Sequence, residues 1–194
     1  GRRDEPCAGR WGEQIDMRAK EAKKSRAVGA VTWTHPALPT ILDLIPRDGR
    51  TLLDVGCGRG VIGALCRIYR EYTRLVGLDV YRPYVEFCRE RRFYDEVVEW
   101  NLETLPLPFE EKEFEVVTAI EVIEHLEKSH ARRLLAELER VGQRVIVTTP
   151  NRFFEQPAYD GNEWQRHRSA WSASELRRMG YRVFGGGGLL LLSL

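Results

Sequence analysis

A short apolar run followed by alternating glycines restricts the fold of this chain more than any other feature. Residues 51–55 read TLLDV, and Gly56, Gly58 and Gly60 follow at every second position. Residues 61–70 then have the apolar content of a helix. Because glycine adopts backbone conformations that other residues avoid, this order predicts a buried strand, a tight turn and a helix whose amino end faces a ligand. The alternative is a turn that only connects the strand to the helix.

Two carboxylates close to this turn indicate what the ligand is. Asp54 comes before the first glycine, where a nicotinamide-binding fingerprint usually has an apolar residue and a different glycine spacing. A second apolar run, residues 75–78, ends in Asp79, at the place where a carboxylate meets ribose hydroxyls. The pattern therefore favours a nucleoside cofactor and counts against NAD.

Taken in order, these segments resemble the class I S-adenosylmethionine-dependent methyltransferases. The glycine turn resembles their motif I, and residues 76–79 resemble their second motif. The similarity continues through residues 101–103, 105–109, 114–117 and 121–126, and it covers roughly residues 35 to 184. The branch with the most similar motifs contains the quinone-biosynthesis and other small-molecule methyltransferases, which carry the methyltransferase type 11 domain.

The alternation of strands and helices agrees with the fold that the resemblance implies. Strands are predicted at residues 51–55, 75–78, 97–100, 114–119, 144–149, 181–184 and 189–192. We expect an α/β, Rossmann-like, mostly parallel seven-stranded sheet with helices on both faces, because strands alternating with helices imply right-handed crossovers. Its last strand is expected to be antiparallel and is short enough to be incomplete. Residues 1–34 would form a helical lid or a flexible arm, and residues 35–194 the S-adenosylmethionine-binding domain.

The resemblance implies S-adenosyl-L-methionine as cofactor and S-adenosyl-L-homocysteine as product. The glycine turn would lie along the methionine part, Asp54 would order the turn or meet the cofactor amino group, and Asp79 would accept the ribose hydroxyls. Asn101 stands where many relatives have an aspartate facing the adenine amino group; a simple Asn turn is its alternative role. The expected cofactor-binding residues are Asp54, Gly56, Cys57, Gly58, Asp79, Val80, Asn101, Leu102 and Glu121.

The candidate catalytic residues are His125, His167 and Glu121. Methyl transfer from a sulfonium mainly requires a positioned nucleophile, and a base only if the acceptor is protonated. His125 could be that base because its reference pKa lies near neutrality, although packing or capping is an equal alternative. His167 is a second candidate in the long polar-aromatic connection 151–171, and Glu121 would orient the acceptor. No ligand spacing along the sequence supports a metal, so none is expected.

Composition and net charge limit the classes of partner that this chain is expected to have. The formal net charge of +1 gives no overall electrostatic case for nucleic acid, and the arginines of residues 162–171 suit an anionic small-molecule acceptor. The four cysteines show no zinc-binding spacing, which favours reduced thiols and a cytoplasmic location. No apolar run has the length of a membrane span.

Four functions remain open at this point. The leading one is methyl transfer to a small-molecule, glycan-linked or lipid-linked acceptor. A non-catalytic S-adenosylmethionine-binding partner subunit is the second, and an RNA methyltransferase is the third. Nicotinamide-dependent oxidoreduction is the fourth, and the glycine spacing and Asp54 count against it.

Overall fold

A computed structural model describes residues 37–153, 155–158, 161–186 and 189–193. The expected N-terminal lid or arm, residues 1–34, lies outside the described residues. Among the helices that are described, none combines the length and the apolar content that crossing a membrane requires.

Strands and helices alternate through most of the described chain. The strands are β1 (Asp48–Val55), β2 (Glu71–Asp79), β3 (Glu96–Glu99), β4 (Phe114–Ile120), β5 (Gly142–Pro150), β6 (Arg182–Gly186) and β7 (Leu189–Ser193). The α-helices are α1 (Leu38–Leu44), α2 (Val61–Tyr69), α3 (Arg82–Arg91), α4 (Lys128–Val141) and α5 (Ala173–Arg178). Single 3-10 turns occur at Ile123–His125 and Glu163–Gln165.

All of these strands pair in one sheet, in the order β3-β2-β1-β4-β5-β7-β6. The five strands from β3 to β5 run parallel to one another, whereas β7 is antiparallel to both β5 and β6. The chain moves from β1 outward to β3 and then returns to place β4 on the other side of β1, so the strand order reverses between β1 and β4. Open α/β sheets bind ligands beside such a reversal, at the carboxyl ends of the strands. The predicted Rossmann-like α/β fold with a mostly parallel sheet is confirmed.

The core has two layers because alternate residues of a strand point to opposite faces of the sheet. Leu52 belongs to one buried cluster, with Ile62 and Cys66 of α2, and the next residue, Leu53, belongs to the other. The second cluster contains the apolar face of α4, where Leu134 is fully buried. Both faces of β1 are therefore covered by helices, which explains its continuous apolar run at residues 52–53 and 55.

The observed elements differ from the predicted ones mainly at their ends. β2 begins at Glu71, four residues before the predicted start, because its first residues pair through the backbone with the exposed start of β1 and give no apolar signal. β6 includes Gly185 and Gly186, which the sequence predicts as a turn. Ser172 caps the amino end of α5, since the Glu175 amide donates a hydrogen bond to Ser172 Oγ at 3.3 Å.

Candidate functional site

The turn between β1 and α2 depends on its glycines. Gly56 has a φ of 67°, and a Cβ at this position would lie 2.6 Å from Val122 Cγ2. Gly58 also has a positive φ, 53°, but no described atom lies within 4 Å of a Cβ placed there. The backbone at Gly56 is therefore required for packing, whereas Gly58 faces open space that a ligand can approach closely.

Asp79, at the end of β2, holds this turn in place. Its Oδ2 accepts a hydrogen bond from the Gly58 amide, and its Oδ1 accepts one from the Tyr81 amide, both at 2.8 Å. Burial raises the pKa of the Asp79 carboxyl, and the backbone amides of Tyr81, Gly58 and Val80 oppose that shift. Each carboxylate oxygen can accept a second hydrogen bond. Asp79 can thus order the glycine turn and still receive ribose hydroxyls.

Asp54 lies beneath the turn and is not among the residues that line the cleft described below. Its Oδ2 accepts a hydrogen bond from Tyr94 Oη at 2.5 Å and its Oδ1 accepts one from Thr118 Oγ1 at 2.7 Å. Burial raises the pKa of the Asp54 carboxyl to about 6, although both hydroxyls lower it. Of the two roles expected from the sequence, these contacts support ordering the turn.

The segment after β3 forms a second wall of the site. Asn101 Oδ1 accepts a hydrogen bond from the Glu103 amide at 2.9 Å, which is the Asn turn that the sequence left open. His130 Nε2 lies 3.2 Å from the carbonyl oxygen of Leu102 and donates to it. Asn101 and Leu102 both line the cleft, so their position agrees with an adenine contact while the Asn101 oxygen already accepts one bond.

Glu121 follows β4 in an unusual conformation. Its φ is 54°, a value that residues with a side chain rarely adopt and that is often found at functional sites. Thr148 of β5 fixes it: the Glu121 amide donates to Thr148 Oγ1 at 3.0 Å, and this hydroxyl donates to Glu121 Oε1 at 2.8 Å. The strained backbone directs the Glu121 carboxylate into the cleft.

Three further side chains converge beside Glu121, and we call them the carboxylate–histidine cluster: Glu124, His125 and His167. One ligand atom from each lies within 4.8 Å of the other two, and the two imidazole centroids are 5.0 Å apart. Glu124 is only 2% exposed, and its carboxyl oxygens make no well-aligned hydrogen bond among the residues that the structure describes. Burial, together with the nearby Glu121 carboxylate, raises the pKa of Glu124 well above its ordinary value.

His125, the histidine that follows β4, is a weak base. Burial, followed by the proximity of His167, lowers the pKa of His125 to about 4. His125 is therefore neutral near pH 7, and accepting a proton there would be unfavourable. Its Nδ1 lies 3.3 Å from the carbonyl oxygen of Arg166, so Nδ1 is the donor and Nε2 carries the free lone pair.

Backbone hydrogen bonds bring His167 to this place. The amides of Arg168 and Ser169 both donate to the Glu124 carbonyl, at 2.8 and 3.0 Å. The His167 amide donates to the carbonyl of Gln156 at 3.1 Å. Ligand spacing along the sequence gave no sign of a metal because two distant segments of the chain form this cluster.

One open cleft, with about 1090 Å³ of empty space, joins these parts. It is lined by most of the residues expected to bind the cofactor or the acceptor, namely Gly56, Gly58, Asp79, Val80, Asn101, Leu102, Glu121, His125 and His167. Asp54 and Cys57 are not among its lining residues, and the Cys57 amide donates to the Leu78 carbonyl at 3.0 Å. Ten other described residues line the cleft, and five of these had no role assigned from the sequence: Arg59, Tyr84, Glu124, Gln156 and Trp164. The length and aromatic content of residues 151–171 were the available signal for the last two.

Comparisons with known proteins agree with this geometry. A methyltransferase domain model matches residues 53–144, which include the glycine turn, Asp79 and the segment after β4. The chain is 28% identical over 142 residues to the 27-O-demethylrifamycin SV methyltransferase of Amycolatopsis mediterranei, covering 71% of this chain and 51% of that protein. It is 29% identical over 127 residues to the ubiquinone biosynthesis O-methyltransferase of Alkalilimnicola ehrlichii, covering 61% and 51%. The chain thus spans about half the length of these curated relatives.

Solved structures show the same fold. The methyltransferase in the complex with the Trm112 methyltransferase activator of Haloferax volcanii matches with a TM-score of 0.66 at 18% identity, covering 89% of this chain and 93% of that one. The matched domain, the curated relatives and this shared fold together support a class I S-adenosylmethionine-dependent methyltransferase.

Proposed function

We propose that this protein transfers the methyl group of S-adenosylmethionine to a small-molecule acceptor. The observation that carries the proposal is the single cleft in which the glycine turn, Asp79 and the Asn101 segment meet Glu121 and the carboxylate–histidine cluster. The glycine turn, Asp79 and the Asn101 segment suit a nucleoside with an amino-acid tail. Glu121 and the carboxylate–histidine cluster suit an acceptor beside the reactive methyl group. The family's S-adenosylmethionine dependence supports the choice of cofactor.

In this proposal the cofactor lies along the carboxyl ends of β1 and β2. Asp79 accepts the ribose hydroxyls with the lone pairs that the Gly58 and Tyr81 amides leave open. The open face of Gly58 lets the methionine part approach the backbone, while Leu102 and Asn101 border the adenine. S-adenosylhomocysteine is the product and keeps all of these contacts.

The transfer itself is an in-line displacement, which depends mostly on positioning. Glu121 is suited to orient the acceptor because its backbone and carboxylate are both fixed by Thr148. His125 is a poor general base, since the pKa of about 4 leaves it little affinity for a proton. We therefore give His125 a role in holding the acceptor rather than in removing its proton.

The acceptor is proposed to be a small molecule that is methylated on oxygen. The names of both curated relatives refer to methylation at oxygen, which supports this choice. The expected anionic acceptor is not part of the proposal, because Arg166 pairs with Glu163 at 3.2 Å and Arg168 pairs with Glu103 at 2.9 Å. These ion pairs already neutralise the two arginines beside the cleft.

Two features of the architecture belong to the proposal as well. We infer that residues 35–194 form the S-adenosylmethionine-binding domain. We also infer that β7 and β6 complete a seven-stranded sheet, which the antiparallel pairing of β7 with β5 supports. The leucine-rich run of residues 189–192 agrees with a strand inside a sheet.

Calorimetric titration of the purified chain with S-adenosylmethionine, S-adenosylhomocysteine and NAD tests the cofactor. We expect binding of the two sulfur compounds and none of NAD. The variant Asp79→Ala should bind S-adenosylhomocysteine at least about 100-fold more weakly, because two hydrogen bonds to a charged group contribute about 1.5–3 kcal/mol each. Glu86→Gln, which breaks only the exposed ion pair with Arg82, is the control and should bind like the unchanged protein.

Comparable binding by Asp79→Ala and the control would contradict the assignment of the ribose site. Turnover is then measured as transfer of a labelled methyl group to a panel of hydroxylated small molecules. The alternative of a non-catalytic partner subunit predicts cofactor binding with no transfer to any acceptor until a partner chain is added.

A further inference from the structure

We propose that Glu124, His125 and His167 bind a divalent transition-metal ion, and that this ion holds the acceptor oxygen beside the methyl group. Each of the three residues supplies a ligand atom, and each lines the cleft. Only the second part of the inference rests on the proposed methyl transfer. The metal site itself follows from the geometry of the three side chains.

Glu124 gives the strongest indication of a cation site. A buried carboxyl normally has hydrogen-bond partners, since leaving a polar group unpaired in the interior costs several kcal/mol. Glu124 is 2% exposed and lines the cleft, and its carboxyl oxygens make no well-aligned hydrogen bond among the residues that the structure describes, although the Thr149 hydroxyl and the Glu121 carboxylate lie beside them. A bound cation beside these oxygens would compensate their burial.

His125 has the orientation of a metal ligand. Its Nδ1 donates to the backbone carbonyl of Arg166 at 3.3 Å, which fixes the tautomer and leaves the Nε2 lone pair available. Metal-binding histidines almost always donate their other ring N–H to a carbonyl or a carboxylate in this way. The Arg168 and Ser169 amides hold the same loop against Glu124, so the two sides of the site are joined by backbone bonds.

The spacing of the cluster is close to what coordination requires. Ligand atoms at about 2.1 Å from a tetrahedral ion lie about 3.4 Å from one another. The three atoms lie within 4.8 Å of one another, so binding requires them to approach by about 1.4 Å or less. Small side-chain rotations supply a movement of this size. The backbone connections described above need not change.

The donor set indicates the ion and its chemistry. Two imidazoles and one carboxylate suit Zn²⁺, Fe²⁺, Co²⁺ or Mn²⁺ and leave coordination positions open. An acceptor hydroxyl at an open position becomes more acidic and releases its proton to solvent. Its oxygen then forms the new bond to the methyl carbon as the carbon–sulfur bond breaks, and the electron pair of that bond stays on sulfur, giving S-adenosylhomocysteine. The inference therefore selects acceptors with a hydroxyl group.

Metal binding is measured directly, without turnover. The full chain is stripped with a chelator and titrated with Co²⁺, and binding is followed by calorimetry and by the visible absorption that coordinated Co²⁺ acquires. We expect one ion per chain. His167→Ala and Glu124→Gln should each weaken binding at least about 100-fold, since loss of an outer partner alone costs 10–100-fold.

Glu86→Gln is the matched control for Glu124→Gln, because Glu86 pairs with Arg82 on the exposed side of α3 and is not among the residues that line the cleft. It should bind Co²⁺ as the unchanged protein does, and circular dichroism shows that each variant is folded. Absence of stoichiometric Co²⁺ binding, or equal binding by folded His167→Ala and Glu124→Gln, would overturn the inference. S-adenosylhomocysteine binding by the metal-free protein is measured in parallel, so that failure of the metal site is distinguished from failure of the proposed function.

Discussion

The buried carboxyl of Asp54 makes the stability of this protein depend on pH in an unusual direction. Asp54 is 2% exposed, and burial raises its pKa from 3.8 to about 6. The folded state therefore binds the Asp54 proton more tightly than the unfolded state between these two values. Stability from this group is fully present below about pH 4, and it decreases as the pH rises toward and beyond 6.

The free-energy change follows from the size of the pKa shift. A difference of about 2.2 pKa units corresponds to about 3 kcal/mol, of which about 1.4 kcal/mol falls between pH 5 and pH 7.5. Asp54→Asn cannot ionise and keeps an oxygen acceptor for one of the two hydroxyls. The stability of the variant relative to the unchanged protein should therefore increase by about 1.4 kcal/mol between pH 5 and pH 7.5.

Urea unfolding at both pH values, followed by circular dichroism, measures the difference. Asp43→Asn is the control because it makes the same chemical change at an exposed residue. Its unfolding is measured at the same two pH values, and the change in its stability is compared with that of Asp54→Asn. Parallel pH dependence of the Asp54→Asn variant and the unchanged protein would refute the reasoning, since the carboxyl would then have the same proton affinity in both states.

Two further predictions concern Tyr94, which packs against the same turn. Tyr94→Phe removes the hydroxyl that donates to Asp54 and accepts from the Gly63 amide. It should destabilise the protein by about 2–3 kcal/mol at pH 7.5 and by less at pH 5, where more of Asp54 is neutral. Urea unfolding at both pH values tests this prediction, and an equal loss of stability at both would contradict it. Gly63→Ala places a Cβ 2.4 Å from Tyr94 Cζ. It should therefore lower the free energy of unfolding by about 1–3 kcal/mol, although alanine favours helices more than glycine does. A gain in stability would show that the Tyr94 ring moves freely.

The sequence alone determined the parts of the site that depend on neighbouring residues. The strand, the glycine turn and the helix from residue 48 to residue 69 were predicted nearly to their ends, because apolar runs and glycine conformations act locally. Asp79 could also be placed beside this turn, because adjacent parallel strands end at the same edge of the sheet. Leu134, Leu135 and Leu138 form the buried face of α4, and their helical spacing is visible in the sequence.

Only the tertiary structure decided how the acceptor side is built. Glu124 and His167 lie far apart along the chain and meet because the amides of residues 168 and 169 bond to the Glu124 carbonyl, a contact that leaves no pattern in the sequence. The lowered pKa of His125 and the raised pKa of Asp54 likewise depend on burial by distant segments. Local conformation is set by each residue and its neighbours, whereas proton affinity and ligand geometry are set by whatever the fold places around a group.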